Sequence, residues 1–371
     1  MKKPTNKEIT VLFILLKAGL WEKEPENLSL FPLSANSWEY VYRLARQQTV
    51  TGIVYQGICK LPERLLPPEK LLFRWVAETD SIERKNRRMN RTLEELYRLF
   101  RENGLNPVLQ KGQGIALLYE NPLVRECGDI DFYFQTAQEG DCAFELIKRL
   151  GKAMRQEADG SRCYVWKGLE VEHHPRLLDI ANPFVQPYLK KLEVSQGYRT
   201  ACIASGHDFE IRVPSPMLNL LLLNTHIMKH SFGWGIGLRQ FCDMARAYHC
   251  LSDVITGSEL KTLYRKTGIL RWSRLLHSFL TEHIGLDATR LPYQEKPLCV
   301  RALQEMVLQG GNFGQHLIGR SHASQPFWKR KAHTSYSFLR HARFSLTYAP
   351  KEALWTFTSL LAGQPTNKKL F

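Results

Sequence analysis

The chain has 371 residues, 44% apolar and 23% charged, the balance of an ordinary globular protein and long enough for two or three domains around a sizeable core. Against 36 Asp and Glu stand 51 Lys and Arg, a net charge of +15 that favours anionic partners such as nucleotides, nucleic acid, phosphorylated sugars or an acidic membrane surface. Nowhere do 18 apolar residues run together, so no helix spans a membrane. The eight cysteines (Cys59, Cys127, Cys142, Cys163, Cys202, Cys242, Cys250, Cys299) are scattered with no C-x-x-C pair, which argues for reduced thiols in the cytoplasm over a disulfide framework.

Taken in order, Met1-Lys2-Lys3 and the apolar run Val11–Leu16 superficially suggest a signal peptide. Lys17 interrupts the run and no small-x-small site follows, so an amphipathic first helix is expected. Residues 7–100 read as helical. Trp38–Ala45 has helical spacing with Ser37 as N-cap, Thr51–Leu61 continues it, and after Pro62, Pro67 and Pro68 a long charged helix runs from about Glu69 through Arg101. Its Arg84, Lys85, Arg87, Arg88 and Arg91 form either a solvated face or a wall of a substrate channel.

From about residue 105 the period changes to short strands. Val108–Lys111 is a strand ending on a Lys-Gly turn, a helix covers Ile115–Tyr119, and after Asn121-Pro122 a second strand, Asp129–Phe134, carries two aspartates. Alternate strand residues share a face, so Asp129 and Asp131 point one way with Ile130 turned into the core. Two carboxylates about 6–7 Å apart on one strand repel unless a cation sits between them, and hard oxygen ligands of this kind suit Mg²⁺. A helix is expected over Ala143–Leu150 with Asp141 near its start. Strands at about Ala153–Gln156, Arg162–Lys167, Leu169–His173 and Phe209–Val213 complete a mixed sheet, with Gly160 and Gly168 at hairpin turns. In Leu169-Glu170-Val171-Glu172-His173-His174, Glu170 and Glu172 share a face and supply a third carboxylate. No Gly-x-Gly-x-x-Gly or Walker loop is present.

After Pro214 and Pro216 the chain is helical again, over Met217–Lys229, Leu238–His249, Ser258–Tyr264 and Ile269–His283. His226 and His230 stand at i, i+4, a spacing that can hold a metal, though structural or substrate-pocket histidines fit as well. Arg239 and Asp243 read most simply as an i, i+4 ion pair packing their helix against the site. From Phe327 onward the tail is basic and aromatic, with Lys329, Arg330, Lys331, Arg340 and Arg343 among Trp328, Tyr336, Phe338 and Phe344. It could contact nucleic acid, but carries no such motif and is read as a packed amphipathic helix pair.

Lys111-Gly112, a helix ending in Tyr119, then Arg125-x-x-Gly128-Asp129-Ile130-Asp131 followed by apolar residues resembles the uncharacterised bacterial nucleotidyltransferase family of the polymerase β-like superfamily. Val171-Glu172-His173-His174-Pro175-Arg176-Leu177 resembles that family's third-carboxylate strand, and His226, His230, Arg239 and Asp243 fit its later helices. The resemblance runs from about residue 35 onward. It implies an α+β protein in which a small polymerase β-like mixed sheet (101–213) is flanked by N-terminal (1–100) and C-terminal (214–371) helical regions. It also implies a two-metal Mg²⁺ site, with Mn²⁺ as a substitute, on Asp129, Asp131 and Glu172, the last as metal ligand or general base. Lys111, Gly112, Gln113 and Arg125 would contact the phosphates of an NTP such as ATP, and His174, His226, His230 and Arg239 the substrate. The superfamily usually has Gly-Ser where this chain has Gly112-Gln113.

The expected reaction transfers a nucleoside monophosphate from an NTP to a hydroxyl of a small-molecule or macromolecular acceptor, releasing pyrophosphate. The alternative is a catalytically weak or inactive module that binds nucleotide or a protein partner. A third reading, an RNA-directed transferase, has the +15 charge and the basic tail behind it.

Overall fold

The computed structural model describes residues 6–157, 159–233, 235–311 and 341–362. The first helix, α1 (Asn6–Trp21), is not amphipathic. Val11 to Leu16 are all buried, and a helix apolar on every side belongs inside a core. It crosses α3 (Thr51–Ile58) at backbone distance: a Cβ on Gly19 would overlap the Ile53 carbonyl oxygen, and one on Gly57 the Leu15 carbonyl oxygen. Between them in the chain comes α2 (Ala35–Gln47). Its N-cap is Ser34 rather than Ser37, whose own backbone N–H donates to Ser34 Oγ at 3.2 Å. The long helix α4 spans Glu69–Glu102. Of its basic stripe, Arg84 pairs with Asp80 at 2.7 Å and Arg87 with Glu83 at 2.8 Å on the surface. Lys85 instead donates to the Cys127 carbonyl at 2.8 Å, and the adjacent Asn86 donates to the carbonyls of Leu123 and Arg125 at 2.6 and 2.8 Å. The helix thereby braces the loop that enters the second strand.

The expected mixed sheet forms, five strands in the order β1-β2-β5-β4-β3. These are β1 (Val108–Gln110), β2 (Ile130–Tyr133), β3 (Met154–Gln156), β4 (Arg162–Trp166) and β5 (Leu169–His174). The central pair β2 and β5 run parallel, with Asp131 opposite Glu172, and all other neighbours are antiparallel. Helix α5 (Gly112–Ala116) starts earlier than Ile115, and α6 (Ala137–Arg149) starts at a Thr136 N-cap whose side chain accepts from Glu139 N. Lys167 (φ +48°) and Gly168 (φ +75°) make the tight turn from β4 to β5. The expected strand at Phe209–Val213 lies outside this sheet. As β7 (Asp208–Pro214) it pairs with β6 (Tyr198–Ala204) in a separate hairpin that leans on β1. Strand β6 and helix α7 (Gln186–Gln196) add to the elements expected from the sequence.

The C-terminal helices α8 (Pro216–Phe232), α9 (Leu238–Leu251), α10 (Gly257–Lys266), α11 (Leu270–Phe279) and α12 (Arg301–Gly310) follow. One hydrophobic core joins residues of α1–α3 to residues of α8–α12, with Val108, Ile115 and Tyr133 at its border. A second core lies on the other face of the sheet, between Ile130, Phe132 and Val171 and residues such as Leu93, Phe100 and Ile147 of α4 and α6. Of the basic tail, 327–340 and 363–371 lie outside the described residues; Phe344 packs with Phe232 and Trp272. Among the described residues, no helix is long and apolar enough to cross a membrane.

His173 points into the second core, its ring 5.2 Å from those of Phe134 and Tyr164. Burial holds its pKa down at about 3, as it does for His277. Above the unfolded value of about 6.5 both states are neutral. As pH falls from there toward 3, the unfolded chain takes protons that the folded chain refuses. Stability should therefore drop on acidification, by up to roughly 1.4 kcal/mol per pH unit for each histidine. Denaturant midpoints between about pH 7.5 and 4.5 test this: His173→Phe should shrink the loss, and an equal loss in the variant would refute the assignment.

Candidate active site

Strand alternation sends Leu169, Val171 and His173 into the core and leaves Glu170, Glu172 and His174 on the opposite face. The parallel register then sets Glu172 beside Asp131. Asp131 is 5% exposed. Its Oδ1 accepts from His174 Nε2 at 2.6 Å and lies 3.4 Å from Lys111 Nζ. His174 Nδ1 lies 3.7 Å from Glu172 Oε1, so one imidazole stands between two carboxylates. Ligand atoms of Asp131, Glu172 and His174 all fall within 4.8 Å of one another, close enough to share a metal ion. Glu170 is directed elsewhere, to Arg155 at 2.9 Å on the surface. Asp129 falls just before the strand rather than in it, on the loop that Lys85 holds.

The charges are tightly interdependent. Burial alone would raise the Asp131 carboxyl, but the Lys111 ammonium and the His174 hydrogen bond hold it well below the usual carboxylate range. Asp129 moves the other way: chiefly the charge of Asp131, then burial, pushes its pKa up to about 6. Such a pair has more negative charge than Lys111 neutralises, and the donors are hard oxygens with one imidazole. They fit a divalent cation.

Lys111 occupies a left-handed backbone conformation (φ +43°), followed by Gly112 (φ +45°), which turns the chain sharply at the end of β1. Burial opposes its charge, yet Asp131, Asp179 and Asp129 together raise its pKa. Gln113 is 3% exposed, and neither polar atom of its amide has a hydrogen-bond partner. Such a group is costly to leave unsatisfied and fits a contact to a bound ligand.

Arg125, expected at the phosphates, is held here by Asp243. It is 4% exposed, and Nε and Nη2 donate to the two carboxylate oxygens of Asp243 at 2.8 and 2.6 Å. Nη1 reaches Cys127 Sγ at 3.1 Å, and Tyr119 donates to Asp243 at 2.7 Å. The expected Arg239–Asp243 pair is thereby corrected: Asp243 belongs to Arg125, and Arg239 Nη1 donates to the Glu126 carbonyl at 2.8 Å. Glu126 in turn accepts from Thr51 N at 2.8 Å.

His226 and His230 do share a face, their rings 4.4 Å apart. His226 Nδ1 lies 3.5 Å from Asp179 Oδ2, and Lys229 Nζ donates to Asp179 Oδ1 at 2.8 Å. Burial first, and Lys111 second, lower the His226 pKa to about 4. Asp179 escaped the sequence reading. It sits in Leu177-Leu178-Asp179-Ile180 with no motif around it, and a charge in an apolar stretch was its one signal.

The model of a family described as uncharacterised nucleotidyltransferase matches residues 34–283. No curated protein matches the chain. Among solved structures it is similar to that of an antigenic nucleotidyltransferase-like protein from Paracoccidioides brasiliensis, at 12% identity over 61% of this chain and 98% of that one. The TM-score is 0.30.

Proposed function

The chain belongs to the uncharacterised nucleotidyltransferase family, and from that premise we propose that it moves a nucleoside monophosphate from an NTP such as ATP to an acceptor hydroxyl. The bond formed is acceptor oxygen to α-phosphorus, the bond broken is the one to the pyrophosphate leaving group, and the hydroxyl proton passes to Glu172. The observation that carries this reading is the Asp131–Glu172 register on adjacent parallel strands, with Asp129 beside it and the Lys111–Gly112 turn across from it.

Asp129, Asp131 and Glu172 are the proposed holders of two Mg²⁺ ions, with Mn²⁺ as a substitute. Bound there, divalent ions would neutralise the triphosphate and lower the pKa of the attacking hydroxyl. Lys111 supplies a cation for the phosphates, and Gly112 and Gln113 their neutral contacts. His174 orients Asp131 and Glu172 through its two ring nitrogens. His226 and His230 line the acceptor side, and Arg239 adds positive potential at Asp129. In this reading 101–213 is the catalytic unit, of polymerase β-like type, between helical regions 1–100 and 214–371. It works in the cytoplasm, in keeping with eight free thiols.

The test is pyrophosphate release from each NTP with Mg²⁺ or Mn²⁺ against a pool of cell metabolites. Release that needs the metal, the pool and Asp129 supports transfer. Metal-dependent nucleotide binding without release would favour the second reading, a nucleotide-binding regulatory module, which Gln113 in place of the usual Ser supports.

A further inference from the structure

The matched family region ends at residue 283, yet a helix beyond it, Pro350–Ala362, packs on the loop at 181–184. Its Glu352 is 4% exposed, and the two carboxylate oxygens accept from the backbone N–H groups of Ala181 and Asn182. Three further contacts fix the same loop. Gln186 Nε2 donates to the Ile180 carbonyl at 2.6 Å, Asn182 Oδ1 accepts from Phe184 N at 3.0 Å, and the Phe184 ring meets Trp355 edge-on at 5.6 Å. A buried carboxylate taking two adjacent backbone amides holds both position and orientation, because losing either bond leaves a buried charge unsatisfied.

The loop so held begins at Asp179, two residues before Ala181. Asp179 is the carboxylate that takes Lys229 and faces His226, and its charge is one of those that sustain Lys111. Lys111 lies 3.4 Å from Asp131. A line of contacts therefore runs from the C-terminal helix to α8: Glu352, the 181–182 backbone, Asp179, then Lys229 and His226, with Asp179 acting on Lys111 through its charge.

We propose that Glu352 is a positioning residue: by gripping the Ala181–Asn182 backbone it fixes Asp179, and through Asp179 it sets His226 and Lys229 on the acceptor side of the site. The consequence for turnover rests on the transferase reading. The grip itself does not.

The test uses the full chain as parent, Glu352→Ala, Glu352→Gln, Asp179→Asn and the Glu352→Ala/Asp179→Asn double variant. Amide exchange at 181 and 182 should rise at least about tenfold in Glu352→Ala and fall between parent and Ala in Glu352→Gln, which keeps one accepting oxygen. The kcat for pyrophosphate release should fall about tenfold in Glu352→Ala with NTP KM within about twofold, and the double variant should match Asp179→Asn alone, because the two act in series. Unchanged exchange in Glu352→Ala, or losses that multiply in the double variant, would overturn the proposal. So would a loss of kcat that merely follows the folded fraction. Should the parent release no pyrophosphate, the transferase reading fails by itself. Exchange at 181–182 and the Mn²⁺ affinity of the five proteins then decide the proposal, with non-additivity expected in the affinity and faster exchange in both variants that lack the Glu352 carboxylate.

Discussion

Replacing Asp131 by Asn should lower metal-dependent pyrophosphate release by about 10³-fold or more, the scale of removing a charge that acts in the transition state of a metal-assisted transfer. Asn keeps the shape of the side chain, so the strand register with Glu172 and the fold should survive. What is lost is a carboxylate that His174 and Lys111 both address. Two effects on stability oppose each other. The folded pKa of Asp131 is depressed, so its ionised form stabilises the protein above the unfolded carboxylate value of about 3.9, a contribution that fades as pH falls and that Asn forfeits. Against this, the charge of Asp131 is the main reason that Asp129 is pushed up to about 6, and Asn relieves that repulsion. The melting temperature should thus move little while activity and Mn²⁺ affinity collapse. Glu170→Gln is the matched control: its partner Arg155 is a surface residue, and such a pair is worth about 0–1 kcal/mol. Near-parental activity in Asp131→Asn, or an equal loss in Glu170→Gln, would remove the acidic cluster from the chemistry.

What the sequence made legible is what local periodicity encodes. Alternation in β5 put Glu170 and Glu172 on one face, the resemblance pointed to His174 two residues after the acid, and Asp131 was identifiable because an apolar strand surrounds it. The register that brings Asp131 to Glu172 across 41 positions of chain was within reach only through the resemblance, since strand pairing is a property of the tertiary fold. Three other features lay out of reach for the same reason. Asp243 stands at i+4 from Arg239 on α9, the spacing of a helical ion pair, but an Arg from a distant loop with bidentate geometry takes it instead. Asp179 and Glu352 carry no motif, and their meaning comes from partners 50 and 171 residues away. The β6–β7 hairpin did carry a local signal, Ser205-Gly206 at its tip, and only its second strand was expected. Even α1 was misjudged by its polar ends: its middle is apolar on every side, and only a core closed over it by C-terminal helices accommodates that.

The two parallel bonds from Arg125 to the buried Asp243 lead to the second large effect. Arg125→Ala should destabilise the protein by about 3–5 kcal/mol, the cost of breaking a buried ion pair by removing one partner. The variant strands Asp243, 2% exposed, with the Tyr119 hydroxyl as its remaining neighbour from the present trio. Asp243→Ala should cost a similar amount, since it leaves a guanidinium that burial disfavours and Asp243 sustains. Arg125→Lys should lie nearly as low as Arg125→Ala, because an ammonium cannot reproduce two parallel N–H···O bonds to one carboxylate. Replacing both partners by apolar residues, Arg125→Met with Asp243→Leu, should recover much of the loss, because no unpaired charge then stays buried. Denaturant unfolding of the four variants checks the series, on a protein whose whole stability is of order 5–15 kcal/mol. The pattern is diagnostic. If Arg125→Lys instead unfolds like the parent and raises the KM for NTP, Arg125 is a phosphate ligand after all, and its bond to Asp243 is a resting contact that substrate displaces.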